Sequence, residues 1–170
     1  MEVKYPIGQL EVPGEVTRND VLGWLGDIST YSERLRKMVE GLTEQQLQKT
    51  YRDGAWNVRQ IVHHIADSQL NMYQRLKLAL TDDNPHVPAF NKNAWAILPD
   101  TTLSIESSLK MLEGINERIV ELGKAISEED YKRVFTHQLN GEISIGTKLK
   151  KLSWHQEHHL KHIEIALRNS

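Results

Sequence analysis

The chain has 170 residues, with 21 lysines and arginines against 23 aspartates and glutamates, eight histidines and no cysteine. That length suits one domain, read as 1–170, with chain enough for a sizeable core. The absence of cysteine excludes disulfides, thiolate-held zinc, iron–sulfur clusters and a cysteine nucleophile, the near-neutral charge speaks against a nucleic-acid binder, and no apolar run of about 18 residues offers a membrane span.

The opening stretch to Val16 contains Pro6, Pro13 and two glycines and reads as an extended arm. It lacks the basic-then-apolar pattern of a signal peptide, so the cytoplasm is the expected compartment. Thr17 to Asp20 supply helix-start residues, and Val21, Trp24, Leu25, Ile28, Tyr31, Leu35, Met38, Val39 and Leu42 recur at three and four. This predicts an amphipathic helix over 18–41. Thr43 and Gln46 have the spacing of a capping box, predicting a short helix over 43–49. Asp53-Gly54 marks a turn. Asn57 caps a second long helix with Gln60 at the box position and a stripe of Val58, Ile61, Ile65, Tyr73, Leu76 and Leu80.

Residues 81–103 hold three prolines and no periodicity, a connection long enough to be a crossover. Phe90 and Trp95 within it are expected to pack down. A third helix is expected from Ser104, with Ile105, Leu109, Leu112, Ile115, Ile119 and Leu122 as its core face. Ser127 opens another capped turn. Asn140-Gly141 between alternating segments predicts a hairpin near 135–145. The last helix is expected over 146–168. The whole reads as an all-α fold, a four-helix bundle with one long connection.

Six of the eight histidines fall in two clusters, His63-His64 and His155, His158, His159, His162. On the last helix two pairs have i,i+4 spacing, which sets both imidazoles on one face. The row of His155 and His159 continues through Leu152, Ile163 and Ala166 and should face the core. The row of His158 and His162 runs through Lys151, Ile165 and Asn169 and is mixed, and Glu157 belongs to a solvated face. Imidazoles stacked in an apolar interior need partners for their ring nitrogens, and a divalent metal satisfies both. Ordinary hydrogen-bonded interior histidines are the plain alternative.

On the second helix His64 shares a polar row with Gln60, Ser68, Asn71 and Arg75, and His63 lies about 100° around the helix. His64 could complete a three-histidine set, which leaves a position open for water or substrate, with Gln60, Asp67 or Asn71 orienting an imidazole. Phase alone does not decide between His64 and His63. The spacing excludes other metal patterns. Position 156 is Gln, so H-E-x-x-H is absent, and no E-x-x-H of a di-iron bundle occurs.

Trp56-x-Val58-Arg59-Gln60-x-Val62-His63-His64-Ile65-Ala66-Asp67-Ser68, then Asn71, then Trp154-His155-x-x-His158-His159-x-x-His162-Ile163, resembles the DinB-like superfamily, and within it the YfiT group. The resemblance spans essentially the whole chain. It implies a bundle with one divalent metal per subunit, zinc foremost and nickel as the alternative, held by His64, His155 and His159 in a cytoplasmic homodimer. It implies a metal-dependent hydrolase that activates water, or a transferase that delivers a low-molecular-weight thiol of the bacillithiol type to electrophilic small molecules. Asn71 and Arg75 would then meet an anionic substrate or thiol carboxylate. A non-catalytic bundle with a structural metal is the rival of another class. For the dimer face the candidates are Trp24, Tyr31 and Trp95, each better suited to the core.

Overall fold

Four long helices account for most of the chain in the computed structural model, which describes residues 3–169. They are α1 (Arg18–Val39), α3 (Val58–Thr81), α5 (Glu106–Ala125) and α6 (Ile145–Arg168), with short helices α2 (Glu44–Leu47) and α4 (Lys92–Trp95) between them. The predicted caps form. Thr17 with Asp20, Thr43 with Gln46 and Asn57 with Gln60 each close a reciprocal capping box. Each box satisfies donors that a helix start otherwise leaves unpaired. The third long helix begins at Glu106 rather than at Ser104. Ser104 instead accepts a hydrogen bond from the Glu106 N–H through its hydroxyl, at 3.3 Å.

The helix order in space follows from the cross-helix contacts. α1 and α3 each pack against both α5 and α6, so the first two long helices lie on a diagonal. Leu25 meets Gly123 and Ser32 meets Asn116, so α1 and α5 run antiparallel. His63 meets Ser108 and Gln69 meets Asn116, so α3 and α5 run parallel. A parallel pair joined in sequence needs a crossover, and residues 82–105 supply it. This connection is not bare loop. It contributes strand β1 (His86–Val87), α4 and a turn of 3-10 helix at Pro99–Thr102. Phe90 and Trp95 pack on each other with centroids 4.7 Å apart.

The predicted hairpin forms as β2 (Val134–His137) and β3 (Gly141–Ser144), with Gly141 at φ 73° where a side chain would be strained. β1 adds to it in parallel, His86 opposite Thr136 and Val87 opposite His137. A two-residue strand paired across fifty positions leaves no periodic trace in a sequence.

The core has two apolar compartments. One, around Leu25, Ile28, Leu76, Ile119, Phe135 and Leu149, sits at the sheet end. The other, around Tyr31, Leu35, Ile61, Ile65, Leu112 and Ile163, fills the opposite end. Each such buried side chain contributes about 1.5–3 kcal/mol. A polar layer lies between them. Gln69 donates to Asn116 Oδ1 at 2.9 Å, Asn116 donates to Gln156 Oε1 at 2.8 Å, and the Tyr31 hydroxyl donates to the Gln156 carbonyl at 2.8 Å. Trp24 and Tyr31 are buried within the bundle, so neither offers a face to a second chain.

Candidate metal centre

The two adjacent histidines of α3 part company. His63 turns toward α5, where Nδ1 lies 2.6 Å from Ser108 Oγ and Nε2 lies 3.0 Å from the Leu103 carbonyl. Both of its nitrogens are used in holding α5 to the connection. His64 turns toward α6 and lies edge-on to two imidazoles there, at centroid distances of 5.3 Å from His155 and 4.8 Å from His159. One ligand atom from each of His64, His155 and His159 falls within 4.8 Å of the other two. Of the two histidines between which helical phase leaves the choice open, His64 is the one beside the α6 pair, and His63 faces α5.

On α6 the i,i+4 pair brings His155 Nε2 and His159 Nε2 to 3.2 Å. Behind His159, His162 completes a short relay. His162 Nε2 lies 3.1 Å from the Val3 carbonyl, and its Nδ1 lies 3.3 Å from His159 Nδ1. A carbonyl can only accept, so a neutral His162 carries its proton on Nε2 and accepts at Nδ1. His159 therefore donates from Nδ1 and keeps a lone pair on Nε2, directed at the shared space. His155 has no such support, and its Nδ1 is buried without a partner.

The mixed row of α6 is not an exposed one. His158 and His162 are buried, because the N-terminal arm and the turn after α2 cover them. Tyr51 stacks on His162 at 3.9 Å and 12°, and His158 stacks on Trp154 at 4.7 Å. His158, His159 and His162 also form a second cluster of mutually close nitrogens, but His162 is committed to Val3 and Tyr51. Glu157 is not simply solvated either. It is half-buried and forms an ion pair with Arg34 of α1.

Burial keeps all these rings neutral near pH 7. Desolvation, reinforced by Lys92 and His158, brings His64 down to about 3. Desolvation first and neighbouring imidazoles or lysines second hold His155 and His159 well below the usual histidine value. Neutral imidazole is the form that ligates metal. The donor set also fits a metal in spacing. Two nitrogens at about 2.0–2.1 Å from a tetrahedral ion stand about 3.3 Å apart, close to the His155–His159 separation.

The three rings open onto a cavity of about 550 Å³. Trp56 packs against His64 at 4.5 Å and forms one wall, and Ser68 Oγ reaches His64 Nε2 at 3.3 Å. Lys4, Arg52, Arg75, Lys92 and Lys151 also line the cavity, and no carboxylate does so among the described residues. None of the expected orienting residues Gln60, Asp67 and Asn71 is part of this wall, whereas Arg75, expected to meet an anionic substrate, is. Gln60 is occupied in the Asn57 capping box and donates to the Ala96 carbonyl at 3.2 Å. Asn71 donates to the Asp67 carbonyl of its own helix, and Asp67 faces the connection rather than an imidazole. Helical phase specifies a face of α3 but not the height at which the cavity ends. Ser68, on the polar row one helical turn from His64, does reach the wall, and Lys151, one turn from His155, is a wall residue that phase did not single out.

Comparison with known proteins bears on the same residues. Residues 29–163, which include all three histidines, match the DinB superfamily. The chain belongs to the DinB superfamily. Among its DinB-superfamily relatives, a protein of Oceanobacillus iheyensis named "Putative metal-dependent hydrolase" is 60% identical over 170 residues, covering 100% of this chain and 98% of that one. A protein of Halalkalibacterium halodurans with the same name is 42% identical and covers 98% of each chain. Among solved structures, YfiT from Bacillus subtilis superposes with a TM-score of 0.93 at 33% identity, covering 99% of this chain and 98% of that one. It is described as a probable metal-dependent hydrolase with an unusual four-helix bundle topology. This chain shares that fold, with α1 and α3 on a diagonal and a crossover between α3 and α5.

Proposed function

We propose that this chain is a metal-dependent hydrolase of small molecules, with one divalent ion, zinc or nickel, held by His64, His155 and His159. The observation that carries the reading is the meeting of three neutral imidazoles in the wall of a cavity. The names of the relatives support it. When bound, such an ion supplies Lewis acidity toward water or a substrate oxygen. The chain's own residues do the rest. His162 fixes the His159 tautomer, Trp56 excludes water from one side of His64, and the cationic wall draws an anionic substrate inward. All three nitrogens come from one chain, so the homodimer expected from the resemblance is not required to build the site.

The second reading, transfer of a low-molecular-weight thiol, uses the same three residues. The excess of positive charge around the cavity favours a thiolate over its thiol, and this is the observation on its side. A purely structural metal has less support, because both apolar compartments are filled by side chains without it.

The test is metal content by plasma mass spectrometry on tag-free protein. One ion per chain in the wild type, lost in His64→Ala, His155→Ala and His159→Ala, is the expected result. Absence of metal after reconstitution overturns the reading. Turnover of electrophilic esters with and without added thiol then separates hydrolysis from transfer.

A further inference from the structure

The cavity has a second end. On α3, Arg75 lies three helical turns beyond His64. On α6, Lys151 lies one turn before His155, and Lys148 nearly one turn before that. The two helices are antiparallel here, so these cations converge on the same side of the histidines, where His137 of β2 also lines the wall. Their mutual proximity is expressed in their chemistry. Burial, then Lys151, then Arg75 push Lys148 well below the ordinary lysine value, and Arg75, Lys148 and Lys151 all act on His137 in the same direction.

None of these cations pairs with a carboxylate among the described residues. Lys148 is 1% exposed, yet its ammonium makes no ion pair or hydrogen bond among the described residues, and it lies over the Phe135 ring, 5.5 Å from the centroid. Arg75 is 8% exposed and makes one hydrogen bond, from Nη2 to the Pro88 carbonyl at 3.0 Å. Lys151, partly buried between them and the imidazoles in the order of α6, is likewise without an acid among the described residues. Buried lysines and arginines are ordinarily paired, since an uncompensated charge withdrawn from water is costly. The chain as a whole has more acids than bases, so the lack of one here is a local arrangement.

We infer that Arg75 and Lys151, over the buried Lys148, form a subsite for an anionic group of the substrate, a carboxylate or a phosphate. The inference rests on the histidine-centred reading above and narrows its substrate class. The reacting bond lies at the three histidines, and the anionic group lies toward Arg75. Lys151 is four residues from His155, or about 6 Å along the helix axis, so the two parts of the substrate are served by positions one helical turn apart. Arg75 offers a planar fork suited to two oxygens, whereas Lys151 is a point charge that tolerates either oxyanion.

The experiment titrates the full-length, metal-loaded protein with inorganic phosphate and, separately, with succinate. It uses calorimetry at constant ionic strength, with thermal melts alongside. Binding of either anion is expected, and the stronger one identifies the group. Lys151→Met and Arg75→Met should each weaken it about tenfold or more, since a charge-assisted hydrogen bond is lost. Lys132→Met, an equal loss of charge on the exposed turn before β2, should change it less than about twofold. Lys148→Met should weaken binding while raising the melting temperature of the anion-free protein, because it removes an uncompensated buried charge. A lysine with a merely structural role would show the opposite change in melting temperature.

The metal-free His155→Ala variant separates this inference from the reading beneath it. Anion binding retained in that variant, with or without metal in the wild type, supports the subsite. Binding abolished in His155→Ala but untouched in Lys151→Met places the anion on the metal and overturns it. So does failure of both anions to bind.

Discussion

His159 and His162 face each other Nδ1 to Nδ1 at 3.3 Å, one proton between them, with the far side of His162 tied to the Val3 carbonyl. The backbone of the N-terminal arm thereby decides which nitrogen of His159 is free. Replacing His162 with Phe keeps the stack on Tyr51 but removes the acceptor. Metal affinity should fall about 10–100-fold, the usual cost of losing such a partner, as read by competition with a chromogenic chelator. Unchanged affinity would mean that the relay has no part in holding the ion.

His63 and His64 should separate cleanly by mutation. His63→Ala removes the hydrogen bond to Ser108 of α5, which is left without its imidazole partner, and one of the two that the Leu103 carbonyl accepts, the other coming from Arg59, so it should cost about 2–3 kcal/mol. For a chain of this size that is a drop of about 4–10 °C in melting temperature, with metal content intact. His64→Ala should do the reverse, losing metal with the smaller change in the apo melt. Equal loss of metal in both would sink the assignment of the tripod.

Gly123 of α5 meets α1 so closely that a Cβ built there would lie 2.7 Å from Leu25 Cδ2 and 2.9 Å from Cδ1. Leu25 is itself buried and has little room to yield. Gly123→Ala should therefore destabilise the bundle by about 1–3 kcal/mol despite the better helix propensity of alanine. Gly114, on the same helix with open space at its Cβ, should gain stability on the same change. Chemical denaturation of both variants checks the contrast.

Removal of the metal should leave a folded protein. A tightly bound ion adds about 3–4 kcal/mol when free metal exceeds Kd by a hundred- to a thousandfold, so chelation should lower the melting temperature while helical circular dichroism at 25 °C persists. Unfolding on chelation would favour the structural metal instead.

Asp67 gives a pH signature. Burial, with Asp100 nearby, pushes its carboxyl up to about 6. The folded state thus binds this proton more tightly than the unfolded chain does, and stability falls as pH rises from the ordinary carboxylate value through about 6. Asp67→Asn should raise stability by about 1 kcal/mol at pH 7.5, a figure kept small because the carboxyl is partly exposed and screened. Below about pH 4 the difference should vanish. A gain that is equal at both pH values would mean that the charge of Asp67 is not its cause.

Much of this was legible from spacing. The stripes of Val21 to Leu42 and of Val58 to Leu80 specify faces, and Thr17, Asn57 and Gly141 specify ends and a turn, because these signals are local. The pairing of His155 with His159 was legible for the same reason. What escaped was whatever depends on another segment lying nearby. The burial of His158 and His162 comes from Tyr5 and Tyr51, far away in sequence. Gln60, Asp67 and Asn71 share the polar side of α3 with His64, but the capping box claims Gln60, the connection Asp67 and the backbone of α3 itself Asn71. Lys148 reads as one of several lysines on α6, and only the fold reveals that it meets no acid among the described residues.

The donors are divided unequally, two on one turn of α6 and one on α3. An isolated α6 already carries a bidentate pair, whereas the third nitrogen arrives only when the chain has closed on itself. An ion held here would act as a latch across a single seam of the bundle. Its escape rate would time the parting of α3 from α6, an opening invisible to any probe of total helix content.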